Sequence, residues 1–292
     1  MVSEFYGMWP DFYTWNDVEH RRTFEDLFAP LRLPQFVDVV SVFNARPWVG
    51  PRFHNRIKVG YSGEPFNLEP TDDFDVNLLM RATDVAKKVV CAPLLVFVSH
   101  GFGCWPLYSA PRPQKEQTEF CAFVISNAGC KVRNEFFRRL SGYKLVHSCG
   151  PALNNRGGEC APRERQAYFA FLSRYKFVIC FENNAIPEYL TEKLANAWLG
   201  GTVPIYWGAR RALDWLNPKA FLWLEPEATA AQMDALVQRV AELDCDPAKY
   251  AEVFAQPLVR EPGIPEELSL DHIRGKIKEV LALKFPALRV ST

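Results

Sequence analysis

The feature that most constrains the fold is a stretch of alternating apolar and polar segments at residues 175–208. Its first apolar run, Phe177 to Phe181, is short and rich in β-branched and aromatic residues, as is typical of a strand buried on both faces. Polar residues follow, and Pro187 precedes apolar residues at helical spacing. A second apolar run at residues 203–207 ends the stretch. This order predicts a strand, a loop, a helix and a second strand, which is one βαβ crossover.

Polar and charged residues gather where the first of these strands ends. They are Glu182, Asn183, Tyr189, Glu192 and Lys193. Ligands of open α/β sheets bind outside the carboxyl ends of the strands. The sequence therefore predicts a binding site at this edge of the sheet.

The rest of the chain repeats the alternation of strands and helices. In the first half we expect strands at residues 36–43, 58–61, 76–80 and 92–98. A proline-rich polar segment without apolar periodicity separates the halves, which predicts a first domain at 1–110, a linker at 111–119 and a second domain at 120–292 that ends in a helix. The predicted fold class is α/β, with two facing Rossmann-like domains and a cleft between them.

Composition excludes several classes of function. Acidic and basic residues balance at 34 each, so no polyanionic partner such as nucleic acid is indicated. The eight cysteines and five histidines are scattered, without the spacing of a metal site. Neither a GxGxxG fingerprint nor a P-loop is present.

No apolar segment is long enough to span a bilayer, and the N-terminus lacks the pattern of a signal peptide. From the sequence alone we expect a cytoplasmic protein, either free or at the surface of a membrane. The sequence does not indicate an oligomeric state.

Two cations fall at equivalent places in two strand-loop-helix units of the second half. Arg133 lies in the first turn of a predicted helix that follows a strand at residues 120–125, and Lys193 follows the strand at 177–181. An arginine is unfavourable in the first turn of a helix, where the helix dipole prefers an anion. A pair of cations at one sheet edge suits a diphosphate, as in a nucleotide sugar. A solvated surface arginine remains the alternative for Arg133.

The motifs of the second half resemble those of the α1,3/4-fucosyltransferase family. FENN is followed by PEYLTEK and GGTVPIYWG, and around them stand FVISNAGCKVRNEFFRRLSGYK, NNRGG and NPKAF in the same order as in that family. The resemblance is dense from residue 120 to 224 and weaker from 58 to 98. It implies a GT-B glycosyltransferase that transfers fucose from GDP-fucose to a glycan with inversion and requires no metal. The first domain would then hold the acceptor, and the second would hold the nucleotide sugar.

The resemblance also implies roles for single residues. Arg133 and Lys193 would bind the phosphates of GDP, and Glu192 would hold the fucose hydroxyls or the ribose region. Further residues that would line the donor site are Asn127, Glu182, Asn183 and Tyr189. For Glu182 a purely structural carboxylate is an equal alternative, and Tyr206 is expected to belong to the core.

The general base is assigned to the first half. The segment GYSGEP is similar to the family's strand-end segment that carries the base, which makes Glu64 the candidate. Asp72 or Asp73 is the alternative. Two other functions stay open: transfer of a different sugar, such as xylose from UDP-xylose, and non-catalytic binding of a sugar nucleotide or glycan.

Overall fold

A computed structural model describes residues 2–6, 8, 18–33, 35–41, 56–65, 69–260 and 262–286. The chain divides into two compact units, each of which is built from segments that are not consecutive in the sequence. The first unit comprises Met1–Trp105, Glu188–Thr191 and Ile264–Thr292, and the second comprises Pro106–Pro187 and Glu192–Gly263.

The first unit contains a five-stranded sheet in which all neighbours are parallel and follow each other in chain order. Its strands are β1 (Val2–Tyr6), β2 (Phe36–Ser41), β3 (Arg56–Tyr61), β4 (Val76–Leu79) and β5 (Val89–Cys91). Helices α1 (Val18–Phe28) and α2 (Leu94–Gly101) contact each other. Phe24 of α1 packs against Tyr61 and Phe97, with ring centroids 5.1 and 4.7 Å apart.

The second unit contains another all-parallel sheet, with the strand order β10-β9-β8-β6-β7. The chain passes from the first unit to the second within the short helix α3 (Trp105–Tyr108). The elements that follow in the second unit are, in chain order, β6 (Glu119–Phe123), α4 (Lys131–Tyr143), β7 (Val146–Ser148), α5 (Arg165–Leu172), β8 (Tyr175–Ile179), α6 (Lys193–Leu199), β9 (Val203–Tyr206), α7 (Ala212–Trp215), β10 (Leu222–Trp223), α8 (Ala230–Cys245) and α9 (Pro247–Phe254). Apolar strand residues such as Phe123 and Phe177 form one buried cluster with Phe136 of α4 and Leu236 of α8. Two parallel-sheet units of α/β type are therefore confirmed.

The last helix, α10 (Leu270–Leu281), belongs to the first unit. Its Arg274 donates to the carbonyl oxygens of Asp26 and Leu27 at the end of α1, at 2.8 and 3.0 Å. The apolar face that the sequence shows on this helix, which includes Ile273 and Ile277, is buried there. The predicted second domain, 120–292, is thus corrected at its C-terminal end, because an amphipathic pattern shows that a helix is buried but not which sheet covers it.

The predicted linker at 111–119 is part of the second unit. Arg112 is buried, and its guanidinium donates to the carbonyl oxygens of Thr202 and Ala220 at 2.6 and 2.9 Å. Gln117 donates to the carbonyl oxygen of Gly201 at 2.7 Å. The segment lacks an apolar pattern because polar side chains, rather than apolar ones, attach it to the unit.

Two predicted elements differ from the structure. The apolar run at 92–98 is not a strand, because helix α2 begins directly after Pro93. Most residues of this helix are apolar and several of them are buried, so it shows no polar face. Periodicity cannot separate such a helix from a buried strand. The helix expected soon after Pro187 begins only at Lys193. Residues 42–43 of the predicted strand 36–43 lie outside the described part of the chain.

In the described ranges, no helix is both long and apolar enough to cross a membrane.

Candidate functional site

The second sheet has one point where its strand order reverses. Starting from β6, the chain moves to β7 on one side and then returns to β8 on the other, so that β6 and β8 are neighbours. Ligands of open α/β sheets bind at such a switch point, outside the carboxyl ends of the two strands. The loop after β6 and the loop after β8 meet at this edge. These loops and the first turns of the helices that follow them carry five of the predicted site residues: Asn127, Arg133, Glu182, Asn183 and Lys193.

Arg133 connects these two loops by hydrogen bonds. Its side chain is 2% exposed. The guanidinium donates to Oδ1 of Asn183 at 2.7 Å and to the carbonyl oxygen of Phe181 at 3.5 Å. It also donates to the carbonyl oxygen of Asn127. Three predicted donor-site residues, Asn127, Arg133 and Asn183, are therefore in direct contact, and Arg133 is not a solvated surface residue.

Local structure explains why Arg133 points into this cluster. It lies in the first turn of α4, whose preceding residue Cys130 gives no side-chain cap. The loop before the helix is closed by its own side chains, since Oδ1 of Asn127 accepts from the amide of Gly129 at 2.7 Å. Asn134 donates to the carbonyl oxygen of Ala128 at 2.6 Å. The loop thus holds its backbone carbonyl at Asn127 where Arg133 can reach it.

Glu182 and Lys193 form a second pair at the same edge. Nζ of Lys193 donates to Oε2 of Glu182 at 3.0 Å. The Glu182 side chain is 0% exposed, whereas that of Lys193 is 26% exposed. A buried carboxylate is stable only when its oxygens are hydrogen-bonded or paired. The geometry favours the structural alternative for Glu182, because its charge is turned towards Lys193 rather than towards solvent.

Glu192 lies at the N-cap position of α6, directly before Lys193, and is partly exposed. Burial and, to a smaller extent, the charge of Glu192 raise the pKa of Tyr168. The carboxylate therefore lies close to α5, which carries Tyr168. Glu192 is therefore a predicted donor residue that lies at the same edge of the sheet as the cluster around Arg133.

Tyr189 is placed in the first unit, beside the candidate base. Its hydroxyl donates to Oε2 of Glu64 at 3.4 Å, and the tyrosine is 1% exposed. The short segment that carries it, Glu188–Thr191, belongs to the first unit, where the amide of Leu95 donates to the carbonyl oxygen of Leu190 at 3.1 Å. Sequence reasoning grouped Tyr189 with the donor residues because PEYLTEK is one motif, but the chain divides that motif between the two units.

The alternative bases lie at the opposite edge of the first sheet. Glu64 follows the carboxyl end of β3, whereas Asp72 and Asp73 precede the amino end of β4, and the two strands are parallel. Asp72 is fully exposed and pairs with Lys88 at 3.1 Å. The amide of Asp73 donates to Oγ1 of Thr71 in a tight turn. The carboxyl edge, where α/β enzymes bind ligands, holds Glu64 alone of these three carboxylates.

Tyr206, which the sequence predicts to belong to the core, also contacts one of the candidate site residues. It is buried, as expected, but its hydroxyl donates to Oε1 of Glu182 at 3.3 Å. The signal was present in the motif GGTVPIYWG, where a polar hydroxyl stands at the carboxyl end of a buried strand. In the described ranges no group of three or more His, Cys, Asp or Glu side chains is arranged to hold a metal ion.

Two all-parallel α/β units, with a loop cluster at the switch point of the second, define the GT-B glycosyltransferase fold. The crystal structure of an α1,3-fucosyltransferase with GDP-fucose superposes on 95% of this chain and 89% of its own, with a TM-score of 0.69 and 20% sequence identity. That similarity establishes the fold. Residues 113–256 match the sequence model of "Glycosyltransferase family 10 (fucosyltransferase) C-term". This part of the chain, just under half of its length, is therefore similar to glycosyltransferase family 10.

Named relatives agree with that assignment. The chain is 37% identical over 103 residues to the α-(1,3)-fucosyltransferase FucT of Helicobacter pylori, covering 35% of this chain and 20% of that protein. It is 35% identical over 154 residues to an α-(1,4)-fucosyltransferase of Arabidopsis thaliana, covering 47% of this chain and 38% of that protein. The chain thus spans well under half the length of these curated relatives.

Proposed function

We propose that this protein is an inverting fucosyltransferase that moves L-fucose from GDP-fucose to a hydroxyl group of a glycan acceptor. The observation that carries the proposal is the position of Arg133 and Lys193. Both lie within the residues that match family 10, and both stand in the first turns of helices that follow the two strands at the switch point, Arg133 on α4 and Lys193 on α6. Cations at this place neutralise the charge that develops on a departing nucleoside diphosphate.

Arg133 reaches the diphosphate by exchanging one partner. In the structure its guanidinium donates to the amide oxygen of Asn183, which is only partly buried. A phosphate oxygen in place of that amide oxygen keeps the number of hydrogen bonds and sets a negative charge opposite the guanidinium, which adds ion-pair attraction to the hydrogen bond. Asn183, displaced from Arg133 by the phosphate, and the neighbouring Asn127 line the donor.

Lys193 serves as the second cation. Its side chain is partly exposed, whereas that of its partner Glu182 is buried, so the lysine is the member of the pair that an anion can approach. Glu182 acts through Lys193 and not by touching the donor. Glu192, one residue earlier and partly exposed, holds the fucose hydroxyls or the ribose.

The first unit supplies the base. Glu64 at the carboxyl edge of its sheet accepts the proton of the acceptor hydroxyl as that oxygen attacks the anomeric carbon from the side opposite to GDP, which inverts the configuration. The hydroxyl of Tyr189 holds Oε2 of Glu64 and so orients the carboxylate. Tyr189 is in this account a positioning residue of the base, which revises its expected place in the donor site.

A donor screen tests the proposal. GDP-fucose should raise the thermal unfolding midpoint of the protein more than UDP-xylose or GDP-mannose, because only a ligand that binds the folded state stabilises it. Stabilisation by UDP-xylose alone would favour transfer of the other sugar. Binding of GDP-fucose without turnover on any acceptor of a glycan array would favour a non-catalytic binding protein.

A further inference from the structure

The tyrosine at the end of β9 lies between two polar groups of the site. The Tyr206 side chain is 0% exposed. Its hydroxyl donates to Oε1 of Glu182 at 3.3 Å and accepts from the amide of Ala209 at 3.1 Å. Glu182 therefore has a different partner on each carboxylate oxygen, since Oε2 accepts from Lys193.

The direction of the bond between Tyr206 and Glu182 follows from charge. Burial, and next the neighbouring Glu182, raise the pKa of Tyr206 well above its ordinary range. The phenol accordingly keeps its proton near neutral pH and can only donate to the carboxylate. The amide of Ala209 points at the same oxygen and polarises the O–H bond further.

The backbone beyond β9 is shaped to let Glu182 approach. Gly208 has a φ of 151°, and a Cβ on this residue would lie 2.4 Å from Cγ and 2.8 Å from Cβ of Glu182. Contacts that short do not occur, so any side chain at 208 would displace the glutamate. The amide of Glu182 also donates to the carbonyl oxygen of Trp207 at 2.9 Å, which fixes its backbone at the same place.

We infer that Tyr206 is a positioning residue: it fixes the rotation of the Glu182 carboxylate, which in turn sets the direction in which the Lys193 ammonium faces the donor diphosphate. The identity of the donor rests on the proposed function, but the chain of contacts from Tyr206 through Glu182 to Lys193 does not. The PIYWG segment thus takes part in orienting a cation at the start of helix α6. The competing interpretation is that Tyr206 only fills the core.

A double-mutant cycle separates the two interpretations. Tyr206→Phe should lower turnover of GDP-fucose roughly 10- to 100-fold with a smaller change in KM, as expected for a misdirected transition-state contact. Lys193→Ala should lower turnover roughly 100-fold. If Tyr206 acts through Lys193, Tyr206→Phe in the Lys193→Ala background should change turnover by less than about twofold. An equal loss in both backgrounds would overturn the inference while leaving the proposed function intact.

Tyr175→Phe is the matched control. Tyr175 is also a buried tyrosine of the second sheet, but it stands at the amino end of β8, where its hydroxyl contacts His147. This variant should leave turnover within about twofold of the unmodified enzyme. Thermal unfolding of all variants shows whether Tyr206→Phe still folds.

A second measurement does not depend on activity. Reductive methylation with formaldehyde, followed by mass spectrometry, gives the reactivity of Lys193 relative to the exposed Lys219. Without the Tyr206 hydroxyl the Glu182 carboxylate can rotate away from the ammonium, which should raise the relative rate at Lys193 by about fivefold, the factor that corresponds to the loss of one ordinary hydrogen bond. No increase beyond that of Tyr175→Phe would contradict the inference, even if GDP-fucose were not the donor.

Discussion

Arg133 and Lys193 carry positive charge at the same sheet edge, but the protein holds them differently. Arg133 is 2% exposed and joins two loops through carbonyl and amide oxygens. Lys193 is 26% exposed and rests on one buried carboxylate. The motif identified both cations from the sequence. It could not identify their partners, because Arg133 contacts Asn183 only when two loops meet in three dimensions, and Lys193 contacts Glu182 only when the loop between β8 and α6 folds back.

Arg133→Ala tests the first cation. We expect a loss of roughly 3 kcal/mol in transition-state stabilisation, or about 100-fold in kcat/KM for GDP-fucose, because one charge opposite the departing diphosphate is gone. Steady-state kinetics measure it. Arg138→Ala is the control, since Arg138 lies on the same helix but is exposed and pairs with Glu135. Equal kinetics for the two variants would contradict the role given to Arg133.

Glu64→Gln tests the base. The amide cannot accept the acceptor proton, so we expect transfer to fall roughly 10²- to 10⁴-fold while GDP-fucose still raises the thermal unfolding midpoint. Asp73→Asn makes the same chemical change at the opposite edge of the sheet and should retain activity. The assignment fails if Asp73→Asn is the inactive variant and Glu64→Gln is not.

At the level of elements, the segment between β8 and α6 shows what a pattern of apolar residues can and cannot predict. The strand, the polar loop and the next strand were all predicted from their composition and are confirmed. Leu190 fits the helical spacing of α6, yet it lies outside the helix and belongs to the first unit. Local spacing does not reveal that the four residues Glu188–Thr191 belong to the other unit, because that depends on contacts distant in sequence.

Arg112 shows that a segment without apolar residues can still be integral to a unit. Burial lowers its pKa to about 9, so the guanidinium remains protonated near neutral pH. The guanidinium donates to backbone carbonyl oxygens. Its Cζ atom also lies 5.5 Å from the ring centroid of Trp198 and 5.0 Å from that of Phe254. We expect Arg112→Met to lower the free energy of unfolding by about 3 kcal/mol, since these buried carbonyl groups lose their donor.

Urea denaturation measures this change. Lys115→Met is the control, because Lys115 lies in the same segment but is exposed. It should change the free energy of unfolding by no more than about 0.5 kcal/mol. If Arg112→Met were equally harmless, the segment would be the free linker that its composition suggests.

The environment of His147 on β7 predicts a pH dependence of stability. Burial, and next the charge of Arg156, lower the pKa of His147. The folded protein thus prefers the neutral imidazole, whereas the unfolded chain takes up a proton at roughly pH 6.5. The stability due to this preference is fully present above that pH and is lost as the pH falls below it towards the lowered pKa of the folded state.

His147→Gln should therefore make stability less sensitive to acid. Urea midpoints at about pH 7.5 and about pH 5.5 should differ less in this variant than in the unmodified protein. His272→Gln, on α10 of the first unit, serves as the control. An unchanged difference in His147→Gln would show that other groups cause the acid sensitivity.

On the scale of the whole molecule, the sequence predicts the two α/β units and the motif that identifies the family, but not how the chain is shared between the units. The terminal helix α10 and the segment Glu188–Thr191 both return to the first unit. One consequence is functional. Within the motif PEYLTEK, Tyr189 belongs to the first unit, which carries the candidate base Glu64. Lys193, four residues further along the chain, belongs to the second unit, where it pairs with Glu182.

The most direct test of the account is transfer of fucose from GDP-fucose to an array of glycans, in the presence of EDTA, by the unmodified protein and by Lys193→Ala. We expect fucosylated products from the unmodified protein, because Arg133 and Lys193 supply the charge that a metal ion would otherwise provide, and roughly 100-fold slower transfer by the variant. Absence of product from the unmodified protein on every glycan, or equal rates for the two proteins, would contradict it.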